Sequence, residues 1–375
     1  MLPFFLKCLL SVILLVAWQI RSAELEPLAQ SLPEPVTNNA VALITTNNQV
    51  QLFSFMGLSA KKNWQGVHSK AFQVTIGSNN PPIALPNVPS SLPLSGRLAS
   101  VATTVNNRIF LFGGYTVAQD HSEISSPDNF EFIPGKQQYR ALAATPVPTD
   151  DAIVLPYKNR YIYQISGWHN DGNVNLVQVY DIKTNTWAQA SPFLGQPVFG
   201  HAGGIIGNQM LVCDGVSVVA QVAVRRTFHR VQACYSGVIN REDPYKIDWR
   251  KVAHPTGQGR YRMAAAGVTL ATKNGKQSGV LFAGGSANPY NYNGIGYNGE
   301  PSEPSDQVWF YDFSTQIWSS AALLRRTMDH RGLLVDEQNQ LAYILGGMAE
   351  QQTIVNAIQS INLNTLKLRP ITSAK

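Results

Sequence analysis

The sequence predicts an all-β fold in which short sheets repeat around a common axis. Three observations carry that expectation. Six apolar strands each run into glycine: QLFSFMG at Gly57, IFLFGG at Gly114, YIYQISG at Gly167, MLVCDG at Gly215, VLFAGG at Gly285 and AYILGG at Gly347. These junctions are spaced by 48 to 70 residues, the size of one four-stranded sheet with its loops. Finally, 29 Gly and 22 Pro with only 14% charged residues describe a loop-rich β chain.

Residues 1–23 read as an export signal, and 24–375 as one repeat domain. Lys7 supplies the positive end, and Cys8 to Trp18 is apolar apart from Ser11. The small residues Ser22 and Ala23 follow as cleavage sites. That apolar core falls well short of the ~20 residues needed to cross a bilayer. A periplasmic or secreted protein is therefore expected, with no membrane span once the signal is removed. An uncleaved anchor is the alternative. Without Lys7 and Arg21 the chain keeps 27 basic against 23 acidic groups and has no Lys/Arg run, which excludes nucleic acid as a partner.

Each repeat reads as four antiparallel strands. In the second, LASVATTV (98–105) turns at Asn106-Asn107 and returns as RIFLFGG. In the third, NLVQVYD (175–181) turns through Lys183-Thr184-Asn185 into a strand carrying Trp187. The fifth repeats this as QVWFYDFSTQIWSSA (307–321). Turn residues at the tip and an aromatic on the return strand fit a hairpin packed between neighbouring sheets. Glycines after the second strand, Tyr-Asp on the third and Trp on the fourth resemble the Kelch motif. The resemblance covers residues 24–375 and implies a six-bladed Kelch-type β-propeller with four-stranded antiparallel blades. Residues 26–36 (EPLAQSLPEPV) read as the outer strand that completes the last blade, with Leu366 to Ile371 competing for the same place. Beyond the signal only Cys213 and Cys234 remain. If their strands form a simple hairpin around 216–227, Cys213 faces the region near Phe228, and two buried free thiols are expected rather than a disulfide.

In such a blade the loops joining strands 1–2 and 3–4 share one face, and loops 2–3 and 4–1 share the other. The 1–2 turns are tight, whereas the 2–3 loops at 115–130, 168–174, 216–227 and 286–305 are long, and long loops carry function more often. Polar residues gather where these loops meet the segments leading into the innermost strands. Those segments hold Arg97, Asp150, Asp151, His201, Arg260, Tyr261, Arg262, Asp329, His330 and Arg331. The long loops add Tyr115, Trp168, His169, Arg225, Arg226, Tyr290, Tyr292, Tyr297, Glu300 and Glu303. Each arginine has an equally ordinary reading as a tie between blades, and His201 as a framework histidine. Aromatic planes beside Arg and Asn donors suit a polyhydroxylated, carboxylated sugar. The expected binding set is Arg97, Trp168, His169, His201, Arg226, Arg262, Tyr290, Tyr292, His330 and Arg331, with no cofactor and no metal.

Signal plus propeller, LFAGG before a Tyr/Asn-rich loop, and Arg226-Thr227 after the fourth glycine resemble the bacterial N-acetylneuraminate epimerase (sialic acid mutarotase) family. The resemblance implies an isomerase that speeds anomer exchange of a free sugar through one acid/base and a carboxylate-binding arginine. That family carries a glutamate after the fourth glycine, where this chain has Val216. Asp214, Glu300 and Glu303 are the candidate replacements. A Kelch propeller also occurs in galactose oxidase, but its copper site has no counterpart here. No Tyr-His dipeptide occurs, and the seven histidines show no close ligand pair. The second reading is a non-catalytic platform that binds a glycan or a protein partner through the long-loop face.

Overall fold

In the computed structural model, which describes residues 25–219, 226–272 and 275–371, six antiparallel sheets surround one axis. Blade 1 comprises Ala40–Thr46, Gln49–Ser59, Val67–Thr75 and Ile83–Leu85. Blade 2 comprises Val101–Val105, Arg108–Phe112, Asn129–Ile133 and Gln138–Ala141. Ile153–Tyr157, Tyr161–Ile165, Val177–Asp181 and Thr186–Gln189 form blade 3. Ala202–Ile206, Gln209–Cys213, Cys234–Ile239 and Ile247–Val252 form blade 4. Blade 5 has Ala264–Thr272, Gly275–Ala283, Ser305–Asp312 and Trp318–Thr327. Blade 6 takes Leu334–Asp336, Leu341–Leu345 and Ala357–Asn362 from the C-terminal part and Leu25–Ser31 from the N-terminal part.

The ring is closed by that N-terminal strand, which pairs antiparallel with Ala357–Asn362. The competing segment goes elsewhere: Arg369–Pro370 pairs with Ser319 and Ser320 at the outer edge of blade 5. The export-signal reading concerns residues outside those described.

Burial explains the radial packing. Six apolar clusters each fill one seam between neighbouring blades, for example Val212, Met210 and Ile239 against Ile165, Val177 and Val179 at the seam of blades 3 and 4. The fourth-strand tryptophans tie seams as well as fill them: the Trp187 indole donates to the Ala143 carbonyl at 2.9 Å, and that of Trp318 to Ala253 at 2.7 Å. At the tight 1–2 turns, Asn47-Asn48 and Asn106-Asn107 both have positive φ, as the hairpin twist requires.

The glycine junctions have a specific cause. A Cβ on Gly113 would lie 2.2 Å from the Thr149 carbonyl of the next blade, and one on Gly346 would lie 2.2 Å from that of Val36. In blades 3 and 4 the same position, also at positive φ, holds Ser166 and Asp214. Each uses its side chain to accept the backbone N–H that leads into the next blade: Ser166 Oγ from Val198 at 2.9 Å, and the Asp214 carboxylate from Arg260 at 2.8 Å.

One expectation is overturned. Cys213 and Cys234 are disulfide-bonded, with Cα atoms 4.1 Å apart. The 216–227 loop is not the tip of the hairpin that carries them. Val216–Val219 and Thr227–Arg230 form a separate hairpin, and the blade register resumes below it with Cys213 directly opposite Cys234.

Candidate functional site

The segments leading into the innermost strands meet at the axis in a belt. Asn38, Ala99, Asp151, Gly200, Arg262 and Asp329 occupy equivalent places in the six blades, and all have φ between 49° and 72°. Backbone bonds link neighbours around the axis: Asp151 N–H to Ala99 at 3.1 Å, Gly200 to Asp151 at 2.8 Å, and Arg262 to Gly200 at 2.8 Å. Side chains then bridge the opening. Arg262 reaches Asp151 Oδ2 at 2.5 Å and Asp329 Oδ1 at 3.1 Å, and Arg331 reaches Asp151 Oδ1 at 3.0 Å. Blades 3 and 6 are diametrically opposite, so the Arg331–Asp151 pair spans the axis. Burial alone would raise the Asp151 carboxyl, but Arg262 and Arg331 hold it below its ordinary value.

Over the belt lies an apolar cap. Tyr115, Phe199, Val216, Tyr261, Tyr290, Met328 and Met348 converge from different blades and are buried together. Tyr261 and Tyr290 meet edge to face at 5.1 Å, and the Arg262 guanidinium lies 5.3 Å from the Tyr290 ring. The channel mouth expected on this face is therefore filled.

The long loops form a second tier tied from blade to blade. Asn170 Oδ1 accepts from Ser125 N–H, and Asn173 Oδ1 from Val218 N–H, both at 3.1 Å. Phe228 stacks on Tyr297 at 4.0 Å, and Arg230 donates to the Ala287 carbonyl. Gln352 donates to the Ser302 carbonyl at 2.9 Å and to Glu303 Oε1 at 3.1 Å. Tyr292 reaches over the cap from blade 5 to His121 of the blade 2 hairpin, 3.4 Å from Nδ1.

On this tier a small group of side chains faces solvent. The Arg226 guanidinium lies 5.1 Å from the half-buried Trp168 ring, and its Nη1 donates to the Asp171 carbonyl at 2.6 Å. Glu123, on the hairpin strand Glu123–Ser125, is exposed to solvent among these loops. Burial pushes its carboxyl up to about 7, against the opposing pull of Arg262 and Arg226.

The thirteen residues singled out from sequence thus separate into two sets. Arg262, Tyr290, His201, His330 and Arg331 belong to the belt and cap. His201 Nε2 donates to the Ile165 carbonyl at 3.0 Å, and His330 Nε2 lies 2.7 Å from Thr327 Oγ1. Arg97 is buried in its own blade, donating to Gly113, Ser126 and Pro89. Asp214 is buried at the seam of blades 4 and 5, accepting from His254 at 2.8 Å as well as from Arg260. Cys234 approaches this pair, but its sulfur is in the disulfide, which leaves no open ligand set. Trp168, His169, Arg226, Tyr292, Glu300 and Glu303 remain on the solvent side, where His169 Nδ1 lies 2.6 Å from the Pro148 carbonyl. Arg225 lies outside the described residues. Glu123 was not foreseen. It sits in one of the four long loops, and only its pairing opposite Val117 brings it toward the axis.

The repeat motif, six four-stranded blades and axial belt define a Kelch-repeat six-bladed β-propeller. No family model matches the chain. Kelch-like protein 15 of Gallus gallus is 29% identical over 115 residues, 30% of this chain and 23% of that protein. Kelch domain-containing protein 3 of Bos taurus is 23% identical over 180 residues, 44% of each chain. The match thus spans less than half the length of these curated relatives. A solved structure of YjhT superposes with a TM-score of 0.67 at 14% identity, over 91% of this chain and 99% of that one. This likeness shows the fold.

Proposed function

We propose that the chain binds a carboxylated, sialic-acid-like sugar on the long-loop face, on the surface that carries Trp168, Arg226, Glu123 and Tyr292. The observation that carries this reading is the Arg226 guanidinium held over the Trp168 ring, on the same tier as Glu123, whose carboxyl is pushed up to about 7. An aromatic plane suits the apolar face of a pyranose, and a guanidinium suits its carboxylate. A carboxyl titrating near neutrality can give a proton to the ring oxygen and take one from the anomeric hydroxyl. Glu123 then fills the role that Val216, buried in the cap, does not.

The non-catalytic platform is favoured by a different observation. Seven of the thirteen residues picked from sequence, Asp214 and Arg97 among them, are held in interior contacts. NMR separates the two readings. Saturation transfer to N-acetylneuraminate reports binding, and exchange spectroscopy reports anomer interconversion. Binding that Arg226→Ala abolishes, with exchange that Glu123→Gln slows at least tenfold, is the expected result. Binding without acceleration leaves the platform, and no saturable binding removes the sugar reading.

A further inference from the structure

Below the belt the axis is hollow. A cavity of about 350 Å³ runs between the six innermost strands, from Asp151, His201, His330 and Arg331 at its floor to Leu43, Thr104, Pro156, Ile205 and Glu337 at the short-turn face. The Arg331–Asp151 bridge and the apolar cap close its other end, so it is blind. It lies on the opposite side of the belt from the Trp168–Arg226 pair.

The walls are polar in a particular way. Each innermost strand is the edge of its sheet, so the backbone N–H and C=O groups that do not pair with the second strand face the axis. Ala42 and Ala102 line these walls with short side chains. The floor is closed by side chains whose own unpartnered atoms are turned into the protein. His201 Nε2 donates to Ile165, so Nδ1 of the neutral ring is an acceptor, and it is buried with no hydrogen bond. Arg331 Nε is likewise an unpartnered donor, and Asp151 Oδ1, though near Arg331, receives no aligned hydrogen bond. Such groups are expensive to leave unmatched.

We propose that this blind channel is a second ligand site, opening on the short-turn face, for a small neutral polyol. Its hydroxyls bond the exposed strand edges, and its leading end rests at the floor beside His201 and Arg331. Charge selects against anions. Two carboxylates balance two guanidiniums at the floor, and the one further charged residue among the lining, Glu337, repels anions at the mouth. An apolar occupant would strip water from the strand edges without replacing its hydrogen bonds. The volume sits at the lower end of the ~300–1,000 Å³ typical of small-molecule sites, which suits an open-chain polyol.

Gly332 supplies the test. It lines the cavity, and a Cβ built on it meets only Val41 Cγ2, at 3.5 Å, so Gly332→Leu projects into free space. Calorimetry with sorbitol should show saturable binding that Gly332→Leu weakens at least tenfold and Arg226→Ala leaves unchanged. Gluconate should bind at least tenfold more weakly than sorbitol. On the unmodified protein, sorbitol should shift the ¹⁵N resonance of His201 Nδ1, assigned by its loss in His201→Gln. This readout stands even if the leucine variant does not fold. Absence of saturable binding, binding indifferent to Gly332→Leu, or an unmoved His201 resonance at saturation overturns the proposal.

Discussion

Asp151 is the residue whose loss should disturb the molecule most. Its Oδ2 accepts from Arg262 Nε at 3.1 Å and Nη2 at 2.5 Å and from the Tyr261 hydroxyl at 3.3 Å, and Oδ1 lies 3.0 Å from Arg331. Asp151→Ala leaves two buried guanidiniums sharing Asp329. Stranding a buried charge in this way costs about 3–5 kcal/mol. The backbone adds to this, because φ is 49° and alanine tolerates the left-handed region less well than aspartate, by about 1 kcal/mol. The expected loss of about 4–6 kcal/mol is comparable to the whole stability of many domains, roughly 5–15 kcal/mol. Urea unfolding followed by tryptophan fluorescence measures it. Arg331→Met added to Asp151→Ala should restore about 1–3 kcal/mol, because it removes one of the stranded charges. The depressed carboxyl gives a second signature. Its contribution is fully present above the ordinary carboxylate range and is lost as pH falls through the lower folded value, and Asp151→Asn should abolish that acid-side loss. A loss below about 1 kcal/mol for Asp151→Ala, or strict additivity with Arg331→Met, would refute the belt as a coupled unit.

Three other expectations are more local. The Cys213–Cys234 bond closes a loop with a sequence separation of 21, so Cys213→Ala with Cys234→Ala should lower unfolding free energy by about 3 kcal/mol, and reductant should do nothing further to that variant. His68, His201 and His330 are each lowered to about 4, chiefly by burial, so the unfolded chain binds protons that the folded one does not. Stability should therefore fall as pH drops from about 6.5 to about 4, and urea titrations across that range should show uptake of up to about three protons on unfolding. Asp214→Ala should lower stability by about 2–4 kcal/mol, through the lost Arg260 and His254 bonds, without changing anomer exchange. A loss of exchange with stability intact would return Asp214 to the acid/base role.

The architecture was legible because glycine marks a backbone requirement that recurs. Where the strand passes within reach of the next blade's carbonyl there is no room for a Cβ, and Gly113 and Gly346 record that in the sequence. Ser166 and Asp214 hide the same requirement, since a polar side chain can accept the neighbouring N–H instead. Closure was legible only as an alternative: a lone outer strand at the start needs a sheet at the end, but Leu366 to Ile371 competed for that place, and only the pairing assigns it to Leu25–Ser31. The disulfide was not, because the register below an inserted hairpin cannot be counted through the loop. The candidate site was only partly legible. Local sequence placed Arg262, His330 and Arg331 next to the axis, yet whether they point to solvent depends on partners far along the chain, such as Asp151.

That dependence also bears on function. A charged side chain leading into an innermost strand can bind a ligand only if no opposite charge meets it at the axis. Here Arg262 and Arg331 meet Asp151 and Asp329, and the same contacts seal the axis. The propeller therefore presents two separate surfaces. Among the described residues the long-loop tier keeps Arg226 exposed over an aromatic ring, and the channel beneath is walled by unpaired strand edges. An anionic sugar fits the first and a neutral polyol the second. With the belt intact neither ligand can pass to the other side, so saturating one site should leave affinity at the other unchanged. A measurable coupling between them would mean that the Asp151 bridge opens.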